Sequence, residues 1–305
     1  MGEFERDLET YRRELIAHCY RMVGSVDDAE DLVQETYLRA WRAQDGFEGR
    51  SSLRSWLYRI ATNVCLTALE KRGRRVLPSG LGAPGDNPFD PLEPAGPDVE
   101  WLQPIPDALV VAEDPASVAV RRDSLRLALV ASLQFLPPRQ RAVLLLRDVL
   151  AWRAAEVGTA LDMSVGAVKS ALQRARATLA RVTPEQVSAP PAQARAVLEQ
   201  YVKAFENSDA AALERLLTED AVLEMSGVRT WFSGRATCMP YLVAQALGSP
   251  GDWRGMPTAA NGQPAAVAYL HGEPYAVAVL TVSATRLARI ALFADPDVVA
   301  RFTGS

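Results

Sequence analysis

The chain has 305 residues, 49% of them hydrophobic and 23% charged, a composition that suits a globular protein of two or three domains. No apolar run reaches the roughly 20 residues of a membrane span, and the acidic, polar first residues are not expected to form a signal peptide. Cys19, Cys65 and Cys238 lie in no CxxC or His-Cys pattern, which argues against a disulfide framework or a zinc site. These features predict a reduced, cytoplasmic protein without cofactor or metal.

The net charge of −4 hides a division of charge along the chain. Residues 77–120 contain eight acidic and no basic residues, whereas residues 121–183 contain eleven basic and four acidic residues. The segments on either side carry little net charge. Because phosphates attract a local basic patch whatever the total charge, the basic segment predicts a nucleic-acid partner.

Residues 1–76 are predicted to form three helices. The first shows apolar residues at helical spacing from Leu8 and breaks at Gly24. Ser25 is a good N-cap for the second, whose acidic first turn suits the helix dipole. Its inner face is predicted to hold Ala29, Leu32, Val33, Thr36, Ala40 and Trp41. The third helix runs through Trp56 and ends in the basic sequence EKRGRR.

Residues 77–120 differ in kind, because prolines recur throughout and no basic residue is present. This composition predicts a linker that is extended or only partly ordered. The stretch WLQPIPD (residues 101–107) is unusually apolar for a linker and is predicted to dock elsewhere on the protein.

The basic segment 121–183 is predicted to end in a helix-turn-helix. The sequence WRAAEVGTALD supplies an apolar stripe for one short helix, and Ser164 caps a second helix after a tight connection. The amino-terminal part of such a second helix enters the major groove. Its groove- and phosphate-reaching side chains are Lys169, Ser170, Gln173, Arg174 and Arg176. The alternative is an ordinary solvated basic helix.

Residues 190–305 begin with an amphipathic helical pair and continue as short strands separated by turns. A module of this length with helices first and strands later predicts an α+β domain.

Two stretches resemble the extracytoplasmic-function sigma factors of RNA polymerase. DDAEDLVQETYLRAW and FEGRSSLRSWLYRIATNVCLTALEKRGRR resemble region 2, and LQFLPPRQRAVLLLRDVLAWRAAEVGTALDMSVGAVKSALQRARATL resembles region 4. WLQPIPD and YVKAFENSDAAALERLLTEDAVLEM resemble the members that carry a C-terminal SnoaL-like (NTF2-like) domain. The resemblance implies a region 2 helical bundle over 1–76, the linker 77–120, a region 4 helix-turn-helix over 121–183 and an α+β cone over 190–305.

The resemblance implies two partners, core RNA polymerase and promoter DNA. The second helix would bind the β′ clamp, and region 4 would rest on the β flap. The implied clamp-binding residues are Asp31, Gln34, Glu35, Arg39 and Arg42. The third helix and the basic tail would recognise and melt the minus-ten element through Arg54, Arg59, Asn63, Lys71, Arg72, Arg74 and Arg75. Region 4 would read the minus-thirty-five element, whereas Trp56 is expected in the core.

In this family the linker threads through the polymerase channels, where eight acidic residues would mimic nucleic acid; a solvated tether is the alternative. The last domain is predicted to be a non-enzymatic control domain that packs on regions 2 and 4, because its sequence offers no acid–base constellation. His271 lies at an exposed turn. An unidentified small ligand would occupy a pocket lined by Tyr201, Trp231, Tyr241 and Tyr269, although side chains at such strand and helix periods more often belong to the core.

Two other functions remain open from the sequence. One is an operator-binding helix-turn-helix regulator that needs no polymerase to bind DNA. The other is a bifunctional protein with a small-molecule enzyme in residues 190–305.

Overall fold

The structure, a computed structural model, describes residues 8–47, 49, 51–110, 124–182 and 189–304. The chain divides into two compact units. Unit 1 comprises Met1–Arg75 and Asp107–Pro184, and unit 2 comprises Val76–Pro106 and Glu185–Ser305. The chain therefore enters unit 2 at residue 76, returns to unit 1 at residue 107 and leaves it again near residue 184. Within the described ranges, every helix is too short or too polar to cross a bilayer.

Three helices form the first half of unit 1: α1 (Arg12–Val23), α2 (Val26–Ala43) and α3 (Leu53–Leu69). They pack pairwise around a common core. α1 ends at Gly24, whose φ of 75° is left-handed, and the Ser25 side chain then caps α2 by accepting a hydrogen bond from the Asp28 N–H at 3.2 Å. Ser52 caps α3 in the same way. The predicted helices of this half are confirmed.

The aromatic side chains of this half lie differently from one another. Trp56 is buried, as predicted, and contacts Phe47 with ring centroids 4.8 Å apart. Trp41 was predicted on the inner face of α2, and this prediction is wrong, because its side chain is 56% exposed. The buried stripe passes through Thr36 and Ala40, and one further residue turns the side chain about 100° away from it.

The second half of unit 1 ends in a helix-turn-helix. Its helices are α4 (Leu127–Leu133), α5 (Pro138–Leu144, extended by a π turn at Leu145–Val149), α6 (Ala154–Leu161) and α7 (Val165–Val182). The turn between α6 and α7 passes through Asp162 at a φ of 53°, and the Ser164 side chain caps α7 by accepting from the Ala167 N–H at 3.1 Å. A Cβ added at Gly158 would lie 2.6 Å from the Met163 carbonyl oxygen, so only glycine allows this close turn.

A buried polar cluster, here called the Arg141 cluster, joins the two halves of unit 1. The Arg141 guanidinium donates to the Met22 carbonyl at the end of α1, to Gln134 Oε1 at 2.6 Å and to the Gln134 carbonyl at 3.2 Å. Arg21 donates to the Ser124 hydroxyl at 2.8 Å. Burial lowers the pKa of Arg141 to about 10, yet the carbonyls at a helix C-terminus still favour the cation. The helices on the two sides of this cluster, α1–α3 and α4–α7, thus belong to one compact unit.

Unit 2 is the predicted α+β domain. α8 (Pro191–Glu206) and α9 (Ala210–Leu216) precede a six-stranded mixed sheet of order β2-β1-β6-β5-β4-β3. The strands are β1 (Leu217–Met225), β2 (Trp231–Ser233), β3 (Trp253–Ala260), β4 (Gln263–Leu270), β5 (Glu273–Ser283) and β6 (Arg286–Phe293). Neighbouring strands are antiparallel except β1 and β6. The other helices are α10 (Arg235–Tyr241, with a π turn at Leu242–Ala246) and α11 (Pro296–Thr303).

Residues 76–106, here called the docked segment, fold back on themselves. Val76 and Trp101 form a parallel β-bridge. The Val76 N–H donates to the Glu100 carbonyl at 3.0 Å, and the Leu102 N–H donates to the Val76 carbonyl at 2.9 Å. The two ends of a segment of more than 20 residues are therefore held about 5 Å apart, the spacing of paired strands.

The docked segment also binds the sheet of unit 2. The Ser79 N–H donates to Glu224 Oε2 at 3.0 Å, and the Ile105 N–H donates to Asn261 Oδ1 at 3.0 Å. Gly85, Glu93 and Ala95 make further hydrogen bonds to residues 227–231. The Leu102 and Ile105 side chains are fully buried. The prediction of an extended linker is therefore wrong for residues 77–106, because their backbone groups find partners on the sheet. Residues 111–120 of the predicted linker lie outside the described residues.

The buried His18 makes unit 1 sensitive to acid. Its Nε2 lies 2.9 Å from Thr62 Oγ1, and burial, with a smaller contribution from Arg21, lowers its pKa from 6.5 to about 3. Since the unfolded chain binds a proton below pH 6.5 and the folded chain does not, stability is lost as the pH falls through that range. We expect the free energy of unfolding to drop by about 2 kcal/mol between pH 7 and pH 5 from this group alone.

The comparison that checks this is urea unfolding of the wild type, His18→Gln and His271→Gln at both pH values. His18→Gln should lose the drop, whereas His271→Gln changes a histidine side chain that is 69% exposed and should keep it. Equal pH dependence in all three proteins would contradict the assignment.

Candidate functional site

The outer face of α7 carries most of the predicted DNA-reading side chains. Val168, Ala171, Leu172 and Ala175 are buried against the rest of unit 1. Lys169, Ser170, Gln173 and Arg174 are exposed on the opposite side. Their side chains lie on one continuous helical surface after a capped N-terminus, as a groove-reading helix requires.

Arg176, predicted with this set, is held by an intramolecular ion pair. Its Nε and Nη2 lie 2.9 and 2.7 Å from the two carboxylate oxygens of Asp148, in the π turn after α5. A bidentate pair of this kind fixes the planar guanidinium. The Arg176 side chain remains 60% exposed at the edge of the α7 surface, and the Asp148 carboxylate fixes its orientation.

The predicted minus-ten residues on α3 divide into two groups. Arg59 and Asn63 are exposed one turn apart, and they follow the buried Trp56 at i+3 and i+7 on the same face of α3. Arg54 is half-buried, donates to Glu14 Oε2 at 2.7 Å and stacks over the Tyr58 ring at 5.0 Å. Its contacts tie α3 to α1.

The basic tail after α3 is largely engaged by the protein itself. Arg72 and Arg75 both pair with the Asp28 carboxylate at the start of α2, the latter at 2.8 Å. The Arg74 guanidinium lies 4.1 Å from the centroid of the Phe135 ring. Lys71 is exposed. Three of the four cations thus have intramolecular partners that the sequence does not place beside them, while Lys71, Arg72 and Arg74 remain exposed.

The outer face of α2 combines the predicted clamp-binding residues with apolar ones. Asp31, Gln34, Arg39 and Arg42 are exposed, and Glu35 pairs with Arg39 at 2.7 Å. Leu38 and Trp41 lie on the same surface and are 50% and 56% exposed. Asp31, Gln34, Leu38 and Trp41 recur every three or four residues and are here called the α2 face. Sequence reasoning missed its two apolar members, although both lie off the buried stripe.

Unit 2 contains a cavity of about 190 Å³ between α8, the end of α10 and the sheet. Tyr201 and Tyr241 line it, as predicted. Tyr269 does not, because its neighbours Ala268 and Leu270 do and alternate residues of a strand face opposite sides. Trp231 does not line it either, and its indole N–H instead donates to the Gly82 carbonyl of the docked segment at 3.0 Å.

The cavity walls are almost wholly apolar or aromatic. No Asp, Glu, His, Lys or Cys occurs among the described residues that line it. The buried Glu224 lies between the lining residues Leu223 and Met225 and faces the other side of β1, where it pairs with Arg289. The described residues also contain no group of three His, Cys, Asp or Glu side chains placed to hold a metal ion.

The chain matches two family models over parts of its length and known sigma factors over nearly its full length. Residues 8–75 match Sigma-70 region 2, and residues 126–179 match Sigma-70, region 4. The extracytoplasmic-function (ECF) RNA polymerase sigma factor SigG of Mycobacterium tuberculosis is 48% identical over 310 residues, which cover 99% of this chain and 84% of SigG. This chain belongs to the ECF sigma factors.

Other members of the family have a similar extent. The probable ECF RNA polymerase sigma factor SigI of M. tuberculosis is 26% identical over 95% of this sigma factor and 92% of its own length. The crystal structure of the M. tuberculosis ECF sigma factor SigJ shares the fold, with a TM-score of 0.64 and 23% identity over 98% of both chains. This sigma factor thus has helical regions 2 and 4 followed by a mixed sheet domain.

We expect the Asp148–Arg176 pair to limit how strongly α7 attracts DNA. Asp148→Asn removes a negative charge beside α7 and releases Arg176, so we expect tighter binding of duplex DNA and a salt dependence steeper by about one unit of log Kd against log salt. Fluorescence anisotropy with labelled duplex across a salt series measures both.

A matched control is Asp45→Asn, which removes the same charge from an exposed residue of the turn after α2. It should leave the slope unchanged. The same slope for both variants would mean that Arg176 does not reach DNA.

Proposed function

We propose that this protein is an alternative sigma subunit that binds core RNA polymerase in the cytoplasm and directs promoter-specific initiation. The α2 face carries this proposal, because it is an exposed protein-binding surface in the same unit as the DNA-facing surface of α7. Operator-binding regulation, the first alternative, gives no reason for an exposed tryptophan and leucine on α2.

The composition of the α2 face suits a protein partner. Interfaces are enriched in aromatic residues surrounded by polar groups, and buried tryptophans often dominate their binding energy. Trp41 and Leu38 supply the apolar centre, and Asp31 and Gln34 extend it with polar groups. We propose this face as the contact for the β′ clamp.

Trp41→Ala should therefore weaken binding to core polymerase by about 30-fold, the loss expected for a central interface residue. The measurement is the Kd of labelled protein for core enzyme. Met256→Ala is the control, because Met256 is an exposed apolar residue (47%) on β3, outside both α2 and the docked segment. Equal effects of the two substitutions would contradict the assignment.

The function itself is tested by run-off transcription from a randomised promoter library, with core polymerase present or absent. We expect an enriched promoter sequence only in the presence of both core enzyme and this protein. Tight and selective duplex binding without core enzyme would instead support an operator-binding regulator.

We further propose that unit 2 restrains the sigma activity by holding the docked segment. A linker that threads through polymerase channels has to be extended, and residues 76–106 would span up to about 100 Å in that form. In the docked form the Val76–Trp101 bridge closes them into a loop. Threading then requires loss of the hydrogen bonds to Glu224 and Asn261 and exposure of Leu102 and Ile105. Because these contacts exist only in the docked form, they stabilise the protein that is not bound to polymerase.

Asn261→Gly tests this restraint. Asn261 has a φ of 57°, which glycine adopts readily, so the substitution removes the hydrogen bond that the side chain accepts from the Ile105 N–H without straining the backbone. Leaving that buried N–H unsatisfied costs about 1–3 kcal/mol and should favour release of the segment. We expect higher transcription at limiting core polymerase.

His271→Gly is the matched control, since His271 also has a positive φ, 51°, in a turn of the same sheet. It should leave transcription unchanged. If Asn261→Gly gives the same output as the wild type at every polymerase concentration, the restraint is contradicted.

We propose no catalytic role for unit 2. Proton transfer needs a titratable group within reach of the substrate. The carboxylate of Glu224 faces away from the cavity, and His271 is exposed at a hairpin turn. The titratable groups in the described lining of the cavity are the hydroxyls of tyrosines and the exposed guanidinium of Arg254.

A further inference from the structure

The cavity of unit 2 exists because its floor is built from small side chains. Ala266 on β4 and Ala278 on β5 are cross-strand partners, and both line the cavity together with Ala268. Larger residues at these positions would fill the space and pack against α8. Apolar cavities reduce stability because their lining atoms lose packing contacts.

One wall of the cavity is a chain of aromatic rings. Tyr201 and Phe205 on α8 have centroids 4.9 Å apart, Phe205 and Trp253 are 6.2 Å apart, and Trp253 and Tyr275 are 5.4 Å apart. The last two contacts are edge-to-face. Such walls offer a flat ligand both ring faces and ring edges.

The polar groups of this wall differ in how they are used. The Trp253 indole N–H donates to the Ala246 carbonyl at 2.8 Å, and the Tyr241 hydroxyl lies 3.4 Å from the Met225 sulfur. The Tyr201 hydroxyl has no hydrogen-bond partner among the described residues, although its residue is only 7% exposed. Burial raises the pKa of Tyr201, so the hydroxyl keeps its proton and can donate it to a hydrogen bond.

We propose that the cavity binds a small uncharged molecule of one or two rings whose oxygen accepts a hydrogen bond from the Tyr201 hydroxyl. The size follows from the volume, because an apolar cavity of about 150 Å³ binds benzene and this one holds about 190 Å³. The ligand is uncharged because the charged group in the described lining, the Arg254 guanidinium, is exposed to solvent, so a buried ion would lose its hydration without a buried counter-ion. This proposal does not depend on the sigma activity, so a binding measurement alone tests it.

The probe is 2-naphthol, which combines two fused rings with one hydroxyl group, titrated into the full chain by calorimetry. We expect saturable binding at one site. Tyr201→Phe should weaken it about fivefold, since it removes one neutral hydrogen bond. The charged analogue 2-naphthoate should bind at least tenfold more weakly than 2-naphthol.

Ala268→Leu tests the location, because it fills the cavity from β4 and should abolish binding. Tyr269→Leu is its control, on the same strand but facing away from the cavity, and should bind like the wild type. Thermal unfolding checks that each variant is folded. If Ala268→Leu does not fold, the weaker binding expected of Tyr201→Phe still tests the location. Absence of saturable 2-naphthol binding, undiminished binding by Ala268→Leu, or tighter binding of 2-naphthoate would overturn the proposal.

Discussion

Both units of this sigma factor contain a buried charged side chain that the backbone helps to satisfy and that joins distant segments. In unit 1 the Arg141 guanidinium lies among the carbonyls of Met22, Gln134 and Leu136. In unit 2 the Glu224 carboxylate pairs with Arg289 and accepts from the Ser79 N–H. A buried charge is tolerated only where its partners are in place. Both therefore link segments that are far apart in sequence: α1 to α4 and α5, and the docked segment to β1.

β1 relates the two proposals made for unit 2. Leu223 and Met225 line the cavity, whereas Glu224 between them faces the docked segment. A ligand that contacts the first two residues would lie against the backbone of the third. For such a ligand to change the docking, it has to bind the docked and released forms with different affinity. On this strand the cavity lining and the contact with the docked segment are therefore only one residue apart.

Much of the fold follows from local sequence patterns. The caps at Ser25 and Ser164 and the apolar spacing of α2 and α7 predict the helices of unit 1, and the change of period near residue 217 predicts the sheet of unit 2. These features depend on neighbouring residues, so one sequence is sufficient to find them. The exposed face of α7 follows from the same spacing.

The contacts between distant residues could not be predicted in this way. The pairing of Arg72 and Arg75 with Asp28, or of Arg176 with Asp148, depends on which helices meet in space. A run of basic residues looks the same whether its charges face DNA or fold back on the protein. Only two of the four predicted pocket residues line the cavity, for a similar reason. Tyr269 faces the other side of its strand, and the Trp231 indole donates a hydrogen bond to the docked segment.

Because the bridge holds Val76 beside Trp101, the distance between these two residues does not depend on the number of residues between them. Residues added to or removed from the loop between them would change its contour but not the position at which the chain emerges beside residue 101. Changes in residues 102–106 would shift that position directly. Among related chains, length variation should therefore concentrate inside the loop, while the short stretch after Trp101 keeps a constant number of residues.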